Sequence, residues 1–140
     1  MKTNKNVMIL NGKDIGISKI ELNEADLLVT DRSGNYCLQV CVGYNWKDIN
    51  TLEIGQKKEI DFNEYCFAEK NEPSLILPTK CFVKKVTEDL LFFHMNFGNL
   101  GKEVHFMNRK NRFDIELKSL EVEVYINYKD AKGDSILYNF

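Results

Sequence analysis

At 140 residues, with 44% hydrophobic residues and a formal charge of −2, the chain is sized for one domain that buries roughly 68% of the surface its unfolded form would expose. The apolar content excludes disorder, no apolar run approaches the ~20 residues of a membrane helix, and the charge argues against general affinity for nucleic acid or an anionic membrane. The four cysteines, Cys37, Cys41, Cys66 and Cys81, form no CxxC and carry no secretory context, so they read as reduced thiols of a cytoplasmic protein.

In chain order, the apolar run Val7 to Leu10 is shorter than the ~7 residues of a signal-peptide core, and export is not expected. Asn11-Gly12 ends it. That dipeptide suits a two-residue type I′ turn, where both positions need φ > 0, so residues 7 to 22 are predicted to form a hairpin. Ile15 and Ile17 give way to Ile20 and Leu22, a phase slip that predicts a bend near Ser18. Residues 23 to 26 fit a turn of helix or a loop.

Leu27 to Thr30 and Tyr36 to Tyr44 flank a loop of turn formers, Asp31 to Asn35, and are predicted as strands. Neither face of the second carries a charge, so a central strand covered on both sides is expected. On one strand Cys37 and Cys41 would share a face about 13 Å apart, too far to bond each other or to bind one zinc together. Trp46 lies in a connection, where a tryptophan either closes the end of a core or anchors a partner. Ile60 and Phe62 alternate with Glu59 and Asp61 as a strand with one wet face. Residues 63 to 70 are ambiguous between extended chain and a short helix capped by Asn63.

Residues 75 to 86 and 90 to 97 are predicted as a second hairpin, with Pro78 at an edge or outside the pairing. Pairing Val86 with Leu91 puts Lys80, Phe82, Lys84, Phe93, Met95 and Phe97 on one face, the more aromatic one and therefore the expected core face. Its cations interleaved with aromatics also imitate a platform for single-stranded nucleic acid; the plainer reading is a core face with snorkelling lysines. Phe113 to Tyr128 is the longest run obeying one rule. Leu120, Val122, Val124 and Ile126 alternate with Glu121, Glu123, Tyr125 and Asn127, the period-two pattern of a half-buried strand, after a slip at Lys118 and Ser119 that calls for a bulge or bend. Residues 136 to 140 are apolar enough to dock. The expected fold class is all-β: an antiparallel β-sandwich or partly closed β-barrel, a single domain over residues 1 to 140, with about eight to ten short strands and little helix.

Catalytic motifs are missing. Neither histidine, His94 or His105, stands in a recognisable motif, and His94 on its strand reads as a satisfied half-buried residue. Convergence of His94, His105 and Cys81 would lack the close ligand spacing usual for zinc. Asp114, Glu116, Glu121 and Glu123 read as a solvated strand face rather than a paired acid and base, and no phosphate loop or GxGxxG is present. Arg109 and Arg112 lie one residue too close for the RxxxR segment of PilZ domains, and Asp31 to Gly34 is truncated and out of order for their second segment, so that family is not assigned.

The expectation is a non-enzymatic binding module, needing no cofactor or metal, that acts on a protein partner and not on a membrane. Trp46, Lys80 and Lys84 are its candidate contacts. The alternative is a domain that binds a small anion or single-stranded nucleic acid through the basic loop carrying Arg109, Lys110 and Arg112, whose side chains suit phosphate or carboxylate.

Overall fold

The computed structural model describes residues 5–23, 25–43, 46–59, 65–69, 72–75, 80–98, 118–127 and 136–140. In chain order the elements are β1 (Val7–Leu10), β2 (Lys13–Asp14), β3 (Lys19–Leu22), β4 (Asp26–Thr30), β5 (Tyr36–Cys41), α1 (Trp46–Asn50), β6 (Lys57–Glu59), β7 (Tyr65–Glu69), β8 (Glu72–Leu75), β9 (Lys80–Thr87), β10 (Leu90–Gly98), β11 (Ser119–Asn127) and β12 (Ile136–Asn139). They form two six-stranded antiparallel sheets, a front sheet ordered β2-β1-β11-β10-β9-β6 and a back sheet ordered β12-β3-β4-β5-β7-β8. The inner faces share one core, so the fold is a β-sandwich and not a barrel. The twelve described strands exceed the expected eight to ten because several span only two to four residues.

The period-two rule accounts for β11. Leu120, Val122, Val124 and Ile126 are all buried, and the strand lies between β1 and β10, with Met8 opposite Val122 and Phe93 opposite Val124. Residues 113 to 117 of the same run lie outside the described residues. The Asn11-Gly12 turn forms as expected, with both residues at positive φ, joining β1 to β2. The chain then leaves the front sheet, and the bend expected near Ser18 is the crossing into the back sheet. Ser18 Oγ donates to the Asp31 carbonyl at 2.7 Å, tying the crossing strand to the loop after β4.

Of residues 23 to 26, residue 24 lies outside the described residues and Asp26 already opens β4; Asn23 Oδ1 accepts from the Ala25 and Asp26 amides. Residues 65 to 69 are strand β7 rather than helix. β5 is central, between β4 and β7, but it is not covered on both sides: Leu38 and Val40 are buried while Gln39 is exposed on the outer face. A strand with one uncharged outer face can still be solvated there when that face is small and polar.

The second hairpin corrects the sequence reading. Leu90 pairs with Thr87 but Leu91 pairs with Lys85, so Val86 is an extra residue and β9 carries a bulge. The slip inverts the faces of β9. Cys81 and Val83 point into the core with Leu91, Phe93, Met95 and Phe97, whereas Lys80, Phe82 and Lys84 stand on the outer face. β6 is the next strand outward, and its approach is anchored at the bulge by Gly55 N donating to Lys85 O at 2.7 Å and Lys85 N donating to Gln56 O at 3.0 Å.

Candidate functional site

The corrected register assembles an aromatic surface on the outer face of the front sheet. Phe82 from β9, Phe92 and His94 from β10, and Tyr125 from β11 occupy neighbouring outward positions, since His94 is opposite both Phe82 and Glu123, and Phe92 is opposite Tyr125. Their rings touch in sequence. Phe82 stacks on His94 at 4.8 Å between centroids, Phe92 meets Tyr125 at 4.7 Å, and Phe82 and Phe92 meet edge to face at 6.0 Å. All four are half-buried. The contacts between them supply burial that solvent-facing rings on a sheet otherwise lack.

The surface has a charge direction. On the β6 and β9 side, Lys57 Nζ lies 4.8 Å and Lys80 Nζ 5.7 Å from the Phe82 ring centroid, where the ring quadrupole attracts a cation. Lys84, opposite Lys57, adds a third. On the β11 side stand Glu121 and Glu123, two residues apart and so on the same face. Glu123 Oε2 is 3.0 Å from His94 Nδ1, and the His94 side chain is 14% exposed against 33% for Glu123. One imidazole nitrogen and one oxygen from each of these two glutamates lie within 4.8 Å of one another.

Of the residues singled out from sequence, Lys80 and Lys84 are exposed beside the aromatic surface. Trp46 opens α1 and is partly buried against the core cluster, some way along the chain from that surface. Arg109, Lys110 and Arg112 lie outside the described residues, as does His105. Cys81 and His94 diverge, because Cys81 faces the core and His94 faces out. Phe93, expected beside Phe82, is buried on the opposite side of the sheet.

Sequence reasoning missed Phe92, His94, Tyr125, Glu121 and Glu123 as a group. The only signal was the outward phase of β10 and β11, which becomes spatial once the two strands are known to be neighbours.

Among the described residues no helix is long and apolar enough to cross a membrane. Comparison with protein-family models, with curated proteins and with solved structures found no match.

Proposed function

We propose that the protein is a non-catalytic binding module of the cytoplasm that meets a protein partner through the outer face of its front sheet. The observation that carries this reading is the contiguous cluster of Phe82, Phe92, His94 and Tyr125, flanked by lysines on one side and glutamates on the other. Protein interfaces concentrate their energy in aromatic anchors at the centre of a patch, with charge at the rim setting orientation. A rim carrying both signs fits a partner surface with an apolar centre and the reversed charge order; a uniformly anionic polymer would meet Glu121 and Glu123 as repulsion.

The test places a photo-crosslinking benzophenone residue at Phe92 and, as control, at Gln39 on the outer face of the back sheet. The expected result is a discrete protein adduct from position 92 that is absent from position 39 and is lost on adding Lys80→Glu. Identical adducts from both positions, or none from position 92, would overturn the reading.

One observation favours a second reading, the binding of a single-stranded nucleic acid or small anion. Lys57 and Lys80 both lie over Phe82, an arrangement that suits a base on the ring with phosphate near the lysines. With the neighbouring Lys84 as a third cation, three phosphate contacts would make affinity for a single strand fall roughly 20-fold between 50 and 200 mM salt. An oligonucleotide titration that shows this slope in the parent and its loss in Lys80→Glu with Lys84→Glu would replace the protein-contact reading.

A further inference from the structure

We propose that His94, Glu121 and Glu123 form a binding site for a divalent transition-metal ion such as Zn2+. The three side chains come from two adjacent strands. β10 sets His94 opposite Glu123, and the strand period brings Glu121 to the same outer face, next to Asn96. One donor atom from each lies within 4.8 Å of the others. Zinc bonds of 2.0 to 2.2 Å in a tetrahedron put ligand atoms about 3.3 to 3.6 Å apart, so modest side-chain rotations close the set around an ion. An imidazole with two carboxylates is a borderline donor set, suited to zinc or its neighbours and poor for calcium, which takes oxygen alone. Three protein ligands leave a fourth position for water or for a group brought by a partner.

Electrostatics points the same way. The Glu121 side chain has no hydrogen bond or ion pair among the described residues, and the Glu123 side chain has only His94. The nearby lysines do not compensate them: Lys57 and Lys80 lie over Phe82, beyond His94 from β11. Two carboxylates and a neutral imidazole sum to −2, the charge that a divalent ion cancels. The surroundings restrict the ligands before any ion arrives. Phe82 stacks on the His94 ring and fixes its plane, while Val7 and Ile9 stand opposite Glu123 and Glu121 on β1, giving the site an apolar flank. On binding, the ion takes the Nδ1 lone pair on the side of the Glu123 carboxylate and the neutral ring carries its one proton on Nε2, so no proton is lost from the ring and no redox step is involved. The ion would also neutralise the β11 side of the aromatic surface, and the proposal stands whether or not that surface meets a protein.

Calorimetric titration of the purified protein with Zn2+, with Co2+ as spectroscopic probe, tests this. One equivalent of Zn2+ should bind, and Glu121→Gln and His94→Ala should each weaken it tenfold or more, while Glu59→Gln, outside the trio, leaves it unchanged. Glu121→Gln removes no described contact, so it reports on the site without unfolding the protein. The Co2+ form should show visible ligand-field bands without thiolate charge transfer. Absence of a single-equivalent site, an affinity indifferent to both substitutions, or a thiolate band from Cys37, Cys41 or Cys66 would overturn the assignment.

Discussion

Leu91 pairs with Lys85 and not with Val86. That one-residue relation decides which side of β9 is wet, because side chains alternate strictly along a strand and a slip exchanges the faces. Lys85 itself falls on the core phase, and its amine lies within 3.9 Å of the exposed Glu88. Val83 is 0% exposed in this register, so Val83→Asp should cost several kcal/mol, about 3 or more, by stranding a carboxylate in the core. Lys84→Asp should change stability by about 0.5 kcal/mol or less, since Lys84 is exposed and stands opposite another lysine, Lys57. Urea unfolding of both variants checks the register. Reversed costs would restore the pairing of Val86 with Leu91.

The limits of the sequence signal follow from the same strand. β11 was legible because its apolar residues obey one phase over eight positions and end in a buried face. β9 was not, because Cys81 and Val83 argue for one phase while Phe82 and Val86 argue for the other, and two lysines separate them. Only pairing with β10 chooses between the phases. The metal-ligand trio was hidden for a different reason. His94 and Glu123 are 29 residues apart, on strands whose adjacency no local spacing encodes, and Glu121 and Glu123 taken alone look like any solvated face. Turn chemistry was local and therefore readable, as at Asn11 and Gly12, whereas the pairing of β1 with β11 joins opposite ends of the chain.

Asp31 is 2% exposed and organises the loop between β4 and β5. Its carboxylate accepts from the Tyr36 amide at 2.9 Å and from Ser33 Oγ at 2.6 Å. Hydrogen bonds to a charged group contribute more than neutral ones, so Asp31→Ala should destabilise by about 2 kcal/mol and Ser33→Ala by about 1 kcal/mol or less. Chemical denaturation of the two variants measures both. Equal, small losses would mean that solvent replaces the carboxylate.

Cys37 offers a pH test. Burial pushes its thiol above the ordinary value, with Glu21 and Asp31 acting in the same direction and the Thr30 hydroxyl and Lys19 opposing. The folded protein therefore holds this proton more tightly than the unfolded chain. Well below the ordinary thiol value both states are protonated and the group is silent; as pH rises past about 9 the unfolded chain deprotonates first, and stability falls until the folded thiol also ionises. Unfolding free energy followed from neutral to alkaline pH should thus decline more steeply in the parent than in Cys37→Ala. Parallel curves would show that the folded thiol ionises as freely as the unfolded one.

Gly16 separates two kinds of backbone constraint. It sits at φ +71 in the crossing from the front sheet to the back sheet, and a Cβ built on it would approach Arg32 Nη2 to 2.6 Å and Arg32 Cζ to 2.7 Å. The steric obstacle is the far end of a long side chain on an exposed residue, which can swing away into solvent. The conformation cannot be relieved in that way, because the Arg32 amide donates to the Ile15 carbonyl and Ser18 Oγ to the Asp31 carbonyl, fixing the path of the crossing. A left-handed conformation costs an L-residue about 1 to 2 kcal/mol, and Gly16→Ala should lose that amount. In an Arg32→Ala background the same substitution should lose nearly as much, giving a coupling below about 0.5 kcal/mol in a double-mutant cycle. A larger coupling, with Gly16→Ala tolerated once Arg32 is truncated, would make the guanidinium contact and not the dihedral angle the reason for glycine at this position.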